Sequence, residues 1–452
     1  MTEYPQFTGD LPYFPDRTIG TESAANPFAS VPSLRRPVPD SSSFPTRQTV
    51  LFAWELGAGF GHLLQMLPLA EDLVRRGHRV FVAFRELDRA GPIYARAGVS
   101  FLQAPIWLSG GLQFPRPVTF AQMLANVGFA SDAAVFARAC AWRNLIQQVR
   151  PDLLVADHAP TALLASRGLP MRRALIGSGF CCPPDLVGGG GDEPWAVVRP
   201  QQAAAADRQT LLEDERHVLG RLNRVLEKWK QPPLERIGQL YSQVDENSLT
   251  TLPELDHFPD RRGAGYWGPV VTRVPGGEPP QWPDARGKRV FVYVKDSAAE
   301  AVLAALAEAG HSTVAYIDGA TSELSRRLES PTVHVASRPL DLGRAAAECD
   351  AAVLGGGHGT TAEMLLAGKP VLQIPPAREQ RMVAEAVTRL GAGLDASARQ
   401  PASVRAALAA LLSDDRYGAA ARRFADRYAR FRPQRQREAM LTRAEELLEA
   451  RS

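Results

Sequence analysis

Cysteine is scarce in this chain, four in 452 residues: Cys140, Cys181, Cys182 and Cys349. Their irregular spacing suits neither a disulfide framework nor a metal site, and the adjacent Cys181 and Cys182 are poorly placed to bridge each other. They read as reduced, mostly buried thiols of a cytoplasmic protein. Long apolar runs are lacking as well. No stretch approaches the ~20 residues of a bilayer span, so no transmembrane segment is expected. The opening MTEYPQFTGDLPYFPDR lacks the basic-then-apolar layout of a signal peptide, so none is expected. Charge of one sign is missing too: 52 basic and 49 acidic residues leave a net charge of +3. The arginines are scattered rather than gathered in a stripe, which argues against a nucleic-acid partner.

What is present is an ordinary globular balance, 45% hydrophobic and 22% charged, in a chain too long for a single core. Residues 1–47 are rich in Pro, Ser and Asn and read as an extension. At Gln48 the texture changes. QTVLFAW is an apolar run suited to a strand, and it ends in the loop ELGAGFGH, closing on His62. Next comes LLQMLPLAEDLVRRG, apolar at helical spacing with Gly77 as its C-cap, and then the strand HRVFVAF. Strand, glycine loop, helix and strand make a βαβ unit.

GVSFLQAP, DLLVADHAP and RRALIGSGF continue the strands, with LANVGFASDAAVFARACAWRNLIQQV between them as one helix. Residues 107–120 and 183–240 are irregular insertions of the kind that carry binding loops. Near 107–130 and 180–240, Trp107, Phe114, Phe120, Phe129 and Phe180 hint at a hydrophobic pocket. A Pro/Gly-dense stretch follows, and then the pattern restarts with KRVFVYV, STVAYI, TVHVA and AAVLGGG alternating with helices. The expected fold is α/β: two doubly wound Rossmann-like domains facing across a cleft, with ligands at the strand ends. The expected divisions are an extension over 1–47, a first domain over 48–268, a second over 269–430, and a helix over 431–452.

The most informative segment is 351–393. An apolar strand runs into Gly355-Gly356-Gly357-His358-Gly359, then Thr360, Thr361 and a helix. Glycines admit close backbone approach, and a helix N-terminus offers free N–H groups and a favourable dipole, together an anion site suited to a pyrophosphate. Glu363 lies one turn on, placed to accept hydrogen bonds from ribose hydroxyls, and Glu379 with Gln380 follows the next strand and a proline-rich loop.

This segment resembles the donor-binding signature of the family 1 glycosyltransferases, the UDP-glycosyltransferase superfamily with the GT-B fold. The matching positions are Gly355 to Glu363, Ala367-Gly368-Lys369-Pro370, Pro375, Glu379-Gln380 and Gly391-Ala392-Gly393. The resemblance implies that Thr360, Thr361 and the amides of Gly356, Gly357, His358 and Gly359 hold the pyrophosphate of a nucleotide-sugar donor. It implies Glu363 on the ribose, Glu379 and Gln380 on the sugar, and Ser297 in the serine position at the start of the second domain. Two departures stand out. The family's first histidine is Gly355 here, and Gly-Ser has become Asp296-Ser297, preceded by Lys295. Either a cation such as Lys295 or Arg338 replaces the lost phosphate contact, or donor binding is weak.

By the same resemblance, His62 with Pro68 beyond it corresponds to the N-terminal Gly-His, whose histidine is the general base in many relatives. A neutral imidazole is available to take a proton near pH 7. Asp157 stands where the family supplies its partner, with Asp152 as the fallback. The last helix is implied to cross back onto the first domain. The remaining histidines have no metal-ligand spacing and no Asp-x-Asp pair occurs, so neither metal nor cofactor is expected. The expected activity is metal-independent inverting transfer from a UDP- or dTDP-sugar to a small, hydrophobic acceptor. Rival readings are a non-catalytic nucleotide-sugar-binding relative, a GT-B epimerase, or a transferase using a lipid-linked acceptor, which leaves peripheral membrane contact open.

Overall fold

The computed structural model describes residues 47–108, 111–185, 194–271 and 277–450. The expected extension, Arg47 apart, and the glycine run near 188 lie outside the described residues. Two parallel six-stranded sheets form the frame. The first contains β1 (Thr49–Trp54), β2 (Arg79–Phe84), β3 (Ser100–Gln103), β4 (Leu153–Asp157), β5 (Arg172–Gly177) and β6 (Glu246–Leu249), in the order β3-β2-β1-β4-β5-β6. The second contains β7 (Arg289–Lys295), β8 (Ser312–Asp318), β9 (Val333–Ala336), β10 (Ala351–Leu354), β11 (Val371–Gln373) and β12 (Gly393–Asp395), in the order β12-β11-β10-β7-β8-β9. Helices cover both faces of each, so the inner strands are apolar on both sides: all six residues of β1 are buried, as are all four of β10.

In each sheet the strand order reverses once, between β1 and β4 and between β10 and β7. At such a point neighbouring connections leave toward opposite faces and open a crevice beyond the strand ends. The two crevices face each other, and a cavity of about 280 Å³ between them is lined by residues from both halves of the chain.

One expected element is broken. The helix drawn continuously across 124–149 divides into Phe120–Leu124, a π-helical turn Ala125–Phe129, and Asp132–Val149, with a bend of 79°. The backbone leaves helical geometry at Val127 and Gly128, and the Ser131 hydroxyl caps the new helix by accepting from Ala134 N at 3.3 Å. Apolar periodicity passes unbroken through this corner, so it hid the cap. The bend brings Phe120 and Phe129 into the first core beside Phe180, all three buried. They serve packing, which overturns their reading as acceptor-pocket walls. Among the described residues no single helix is long and apolar enough to cross a membrane.

The helix Pro433–Glu449 lies on the helix Phe60–Arg75 of the first half, burying Met440, Leu441, Ala444, Leu447 and Leu448 in the core beneath β1 and β2. Arg437 grips Asp72 with two hydrogen bonds, 2.5 and 2.7 Å, and Gln48 Nε2 donates to Leu448 O at 2.8 Å.

Candidate active site

The loop after β1 delivers His62 to the third position of the helix Phe60–Arg75. In the neighbouring strand Asp157 is the register partner of Trp54, so the two strand ends sit side by side. His62 Nδ1 meets Asp157 Oδ2 at 2.8 Å. Asp157 is fully buried and the histidine side chain is 12% exposed, so the imidazole faces the cleft and the carboxylate stands behind it. Asp152 is at the other end of β4, where it accepts from Thr49 N at 2.8 Å, far from the cleft.

Burial by itself would depress the imidazole pKa. The Asp157 charge and hydrogen bond, with Glu379 and Glu86 further off, outweigh it, so His62 is held above its ordinary 6.5. Asp157 accepts the hydrogen bond from Nδ1–H, which keeps the proton on that nitrogen and leaves Nε2 as the acceptor atom. Trp54 stacks on one face of the ring at 5.1 Å and 21°, well placed to steady a positive imidazolium. His158 also stacks with the ring, at 6.1 Å, and is pushed down to about 3 by burial, so it stays neutral beside the dyad. Gly57 is obligatory for a positional reason. Its φ is +82°, and a Cβ there would stand 2.3 Å from His62 Nε2.

Across the cleft, β10 ends in the glycine loop, and the helix His358–Leu366 starts from it. Gly357, His358, Gly359, Thr360, Glu363, Glu379 and Gln380 all line the cleft, together with His62. Three other residues singled out in the sequence do not. Thr361 is fully buried; its hydroxyl donates to Gly357 O at 2.8 Å and accepts from Gln373 Nε2 at 3.0 Å, so it braces the loop from behind. Gly356 has φ +82° and backs onto Gln380, whose Cβ would be 2.7 Å from any Cβ placed there, so its absent side chain lets Gln380 reach the cleft. Ser297 is exposed in the first turn of the helix Asp296–Glu308, outside the cleft lining. Adjacency in sequence suggested one role for the whole loop, whereas Gly356 and Thr361 turn away from the cleft that their neighbours line.

His358 Nε2 meets Thr251 Oγ1 of the first half at 2.7 Å, and burial drives its pKa down to about 4, so it faces the loop uncharged. Glu379 is raised by burial and pulled down by His62, with Gln380 Nε2 donating to it at 2.9 Å. Of the two cations considered for the phosphates, Lys295 lines the cleft, whereas Arg338 is paired with Glu278 outside it.

Cys181 Sγ lies within 4.8 Å of the ligand atoms of His62 and Asp157, the one grouping among the described residues able to hold a metal ion. Two features count against that use. The nitrogen nearest the carboxylate already carries the hydrogen bond to Asp157, and burial pushes the Cys181 thiol well up, against the thiolate a metal needs.

Sequence reading missed Gln65, whose Nε2 donates to Asp157 Oδ2 at 2.6 Å while its Oε1 accepts from Thr250. Its spacing of three from His62 on one helix face was the available signal. Tyr293, Tyr316 and Asp318 at the ends of β7 and β8 also line the cleft, and nothing local marked them.

Residues 300–439 match the erythromycin biosynthesis protein CIII-like C-terminal domain. A rhamnosyltransferase of PGL/p-HBAD biosynthesis from Mycobacterium bovis (strain BCG / Pasteur 1173P2) is 33% identical over 204 residues, covering 43% of this chain and 44% of that protein. The chain thus spans less than half the length of this relative. The elloramycin glycosyltransferase ElmGT of Streptomyces olivaceus is 27% identical over 397 residues, 81% of this chain and 90% of that one. Among solved structures, the spinosyn rhamnosyltransferase SpnG complexed with thymidine diphosphate superposes with a TM-score of 0.62 at 18% identity, covering 88% of this chain and 100% of that chain. Two facing Rossmann-like sheets and the superposition on SpnG give the chain the GT-B fold, and its C-terminal part and its relatives are similar to bacterial glycosyltransferases of family 1.

Proposed function

We propose that the chain transfers a sugar from a nucleoside-diphosphate donor of the dTDP or UDP class to a small acceptor, in one inverting displacement that needs no metal or cofactor. The observation that carries this reading is the His62–Asp157 dyad on one wall of a cleft whose opposite wall is the glycine loop. The acceptor hydroxyl gives its proton to His62 Nε2 as its oxygen bonds to the anomeric carbon. The bond from that carbon to the diphosphate oxygen breaks, and its electron pair leaves with the nucleotide. A base and a leaving-group site on opposite walls require attack from the face opposite the diphosphate, which inverts the anomeric centre. Asp157 and Trp54 stabilise the imidazolium that forms. The amides of Gly357, Gly359 and Thr360, at the positive end of a helix, take the charge of the departing diphosphate. Glu363 serves the ribose, and Glu379 and Gln380 the transferred sugar. The first half lines its side of the cleft with Phe60, Leu64, Pro269 and Val270, which favours an apolar acceptor. The thymidine diphosphate bound to SpnG makes dTDP the first choice of donor nucleotide, with rhamnose the first sugar to try.

Calorimetric titration with dTDP, UDP and GDP, with and without magnesium, tests the donor half. One nucleotide is expected to bind, equally well in either condition. Binding to none would replace this reading with the non-catalytic one.

The pH profile tests the base. A neutral His62 is required, and its pKa is raised, so kcat/KM is expected to fall on the acid side at a pH above the ordinary histidine value of 6.5. In Asp157→Asn burial is opposed only by the charges of Glu379 and Glu86, so the acid limb is expected to move to lower pH while the maximum rate drops. A limb unmoved by that substitution assigns it to another group.

A further inference from the structure

The charge of the cleft does not suit a diphosphate as it stands. Of the residues lining it, Lys295 is the one lysine or arginine, set against the carboxylates of Asp318, Glu363 and Glu379. Loop amides supply dipoles but no compensating charge. The Lys295 ammonium is bound to Asp318, its register partner on β8. Asp318 has a second cation: Arg89, from the helix Leu87–Tyr94 of the first half, reaches Oδ1 at 3.3 Å. The Arg89 guanidinium also lies over the ring of Phe60, 5.1 Å from its centroid, on the opposite rim of the cleft. Asp318 is 7% exposed, so leaving it without a partner is costly. Lys295, 45% exposed on a flexible stem, is free to turn. It leaves the end of β7 beside Gly355, where the missing side chain opens space next to Val294.

We propose a partner exchange, resting on the donor reading above: Lys295 leaves Asp318 for the diphosphate of the bound nucleotide, and Arg89 takes over Asp318. Lys295 is then the cation that recognises the diphosphate. Arg89 is a positioning residue that never touches the nucleotide, and it ties the first half to the second when the donor is present. Asp318 competes with the ligand for Lys295 in the empty cleft.

The test compares the affinities of dTDP and UDP with those of thymidine and uridine, by calorimetry, in the full chain and its variants. Lys295→Ala is expected to weaken diphosphate binding at least about tenfold, the loss of one charge-assisted contact, and to leave nucleoside binding nearly unchanged. Arg89→Ala is expected to weaken diphosphate binding severalfold, because Lys295 then has to stay with Asp318. Asp318→Asn releases Lys295 and removes a negative charge, so diphosphate affinity is expected to equal or exceed wild type. In that background Arg89→Ala is expected to have no further effect. Melting temperatures confirm that each variant folds, and a variant that unfolds is replaced by Lys295→Gln or Arg89→Gln. The proposal is overturned if Lys295→Ala binds the diphosphate like wild type or loses nucleoside and diphosphate alike. It is also overturned if Asp318→Asn weakens binding or the Arg89 effect persists beside it. Wild-type protein that binds no nucleoside diphosphate overturns the donor reading itself.

Discussion

His62→Ala is expected to lower kcat roughly 10²–10⁴-fold, the range for removing a positioned general base, while dTDP affinity stays at the wild-type level. The split follows from the geometry. On the proposed mechanism the imidazole, on the wall opposite the glycine loop, takes the acceptor's proton and does not hold the nucleotide. A companion variant, Gly57→Ala, is expected to reproduce most of the loss with the imidazole still present. Its Cβ would lie 2.3 Å from Nε2, and φ of +82° disfavours any side chain. Steady-state kinetics beside calorimetric titration checks both. Near-wild-type turnover in His62→Ala would falsify the base assignment.

The second large effect concerns stability. Glu55, just after β1, is fully buried, and its carboxylate is shared by Arg138 Nη1 at 3.2 Å, Thr161 Oγ1 at 2.5 Å and Thr161 N at 2.9 Å. Phe129 and Trp107 flank the guanidinium at 4.8 and 5.8 Å. Arg138→Ala leaves the carboxylate without its counter-charge, and the expected cost is about 3–5 kcal/mol in denaturant unfolding. Glu55→Gln combined with Arg138→Met is expected to recover much of this, since it removes both charges together. Activity is expected to fall as well in the single variant. Glu55 and the bond from Leu56 N to His158 O, 3.0 Å, stitch the loop carrying His62 to the turn that follows Asp157. A loss below about 1 kcal/mol would mean that water reaches Glu55 and that the pair is not closed off.

Most strands were legible because a buried parallel strand is a short, nearly continuous apolar run. β6 and β12 escaped notice: ENSL and GLD are short and lie at sheet edges, where little burial is required. The glycine loop and His62 were legible because backbone approach to a ligand demands glycine, and the loops that carry them follow recognisable strands. What the sequence did not disclose depends on which way a side chain turns. Thr360 and Thr361 are neighbours, yet one lines the cleft and the other braces the loop from behind. Gln65 and the Arg89–Asp318 contact belong to the same class, since each joins residues far apart in the chain. The aromatic residues of the first half misled for a related reason: bulk and apolarity are equally consistent with a core and with a binding wall.

The return of the helix Pro433–Glu449 onto the first half has a consequence for biosynthesis. The groove that receives Met440, Leu441, Leu447 and Leu448 is complete once β6 and the segment to Val271 have left the ribosome. Its cover is translated only after the whole second half, a delay of about 10–35 seconds at typical elongation rates. Over that interval the nascent first half carries an open apolar stripe, with each large side chain forgoing roughly 1.5–3 kcal/mol of burial. Completion of the first domain therefore waits on translation of the second half, and a chain cut before Pro433 leaves a sticky product rather than a free-standing first domain.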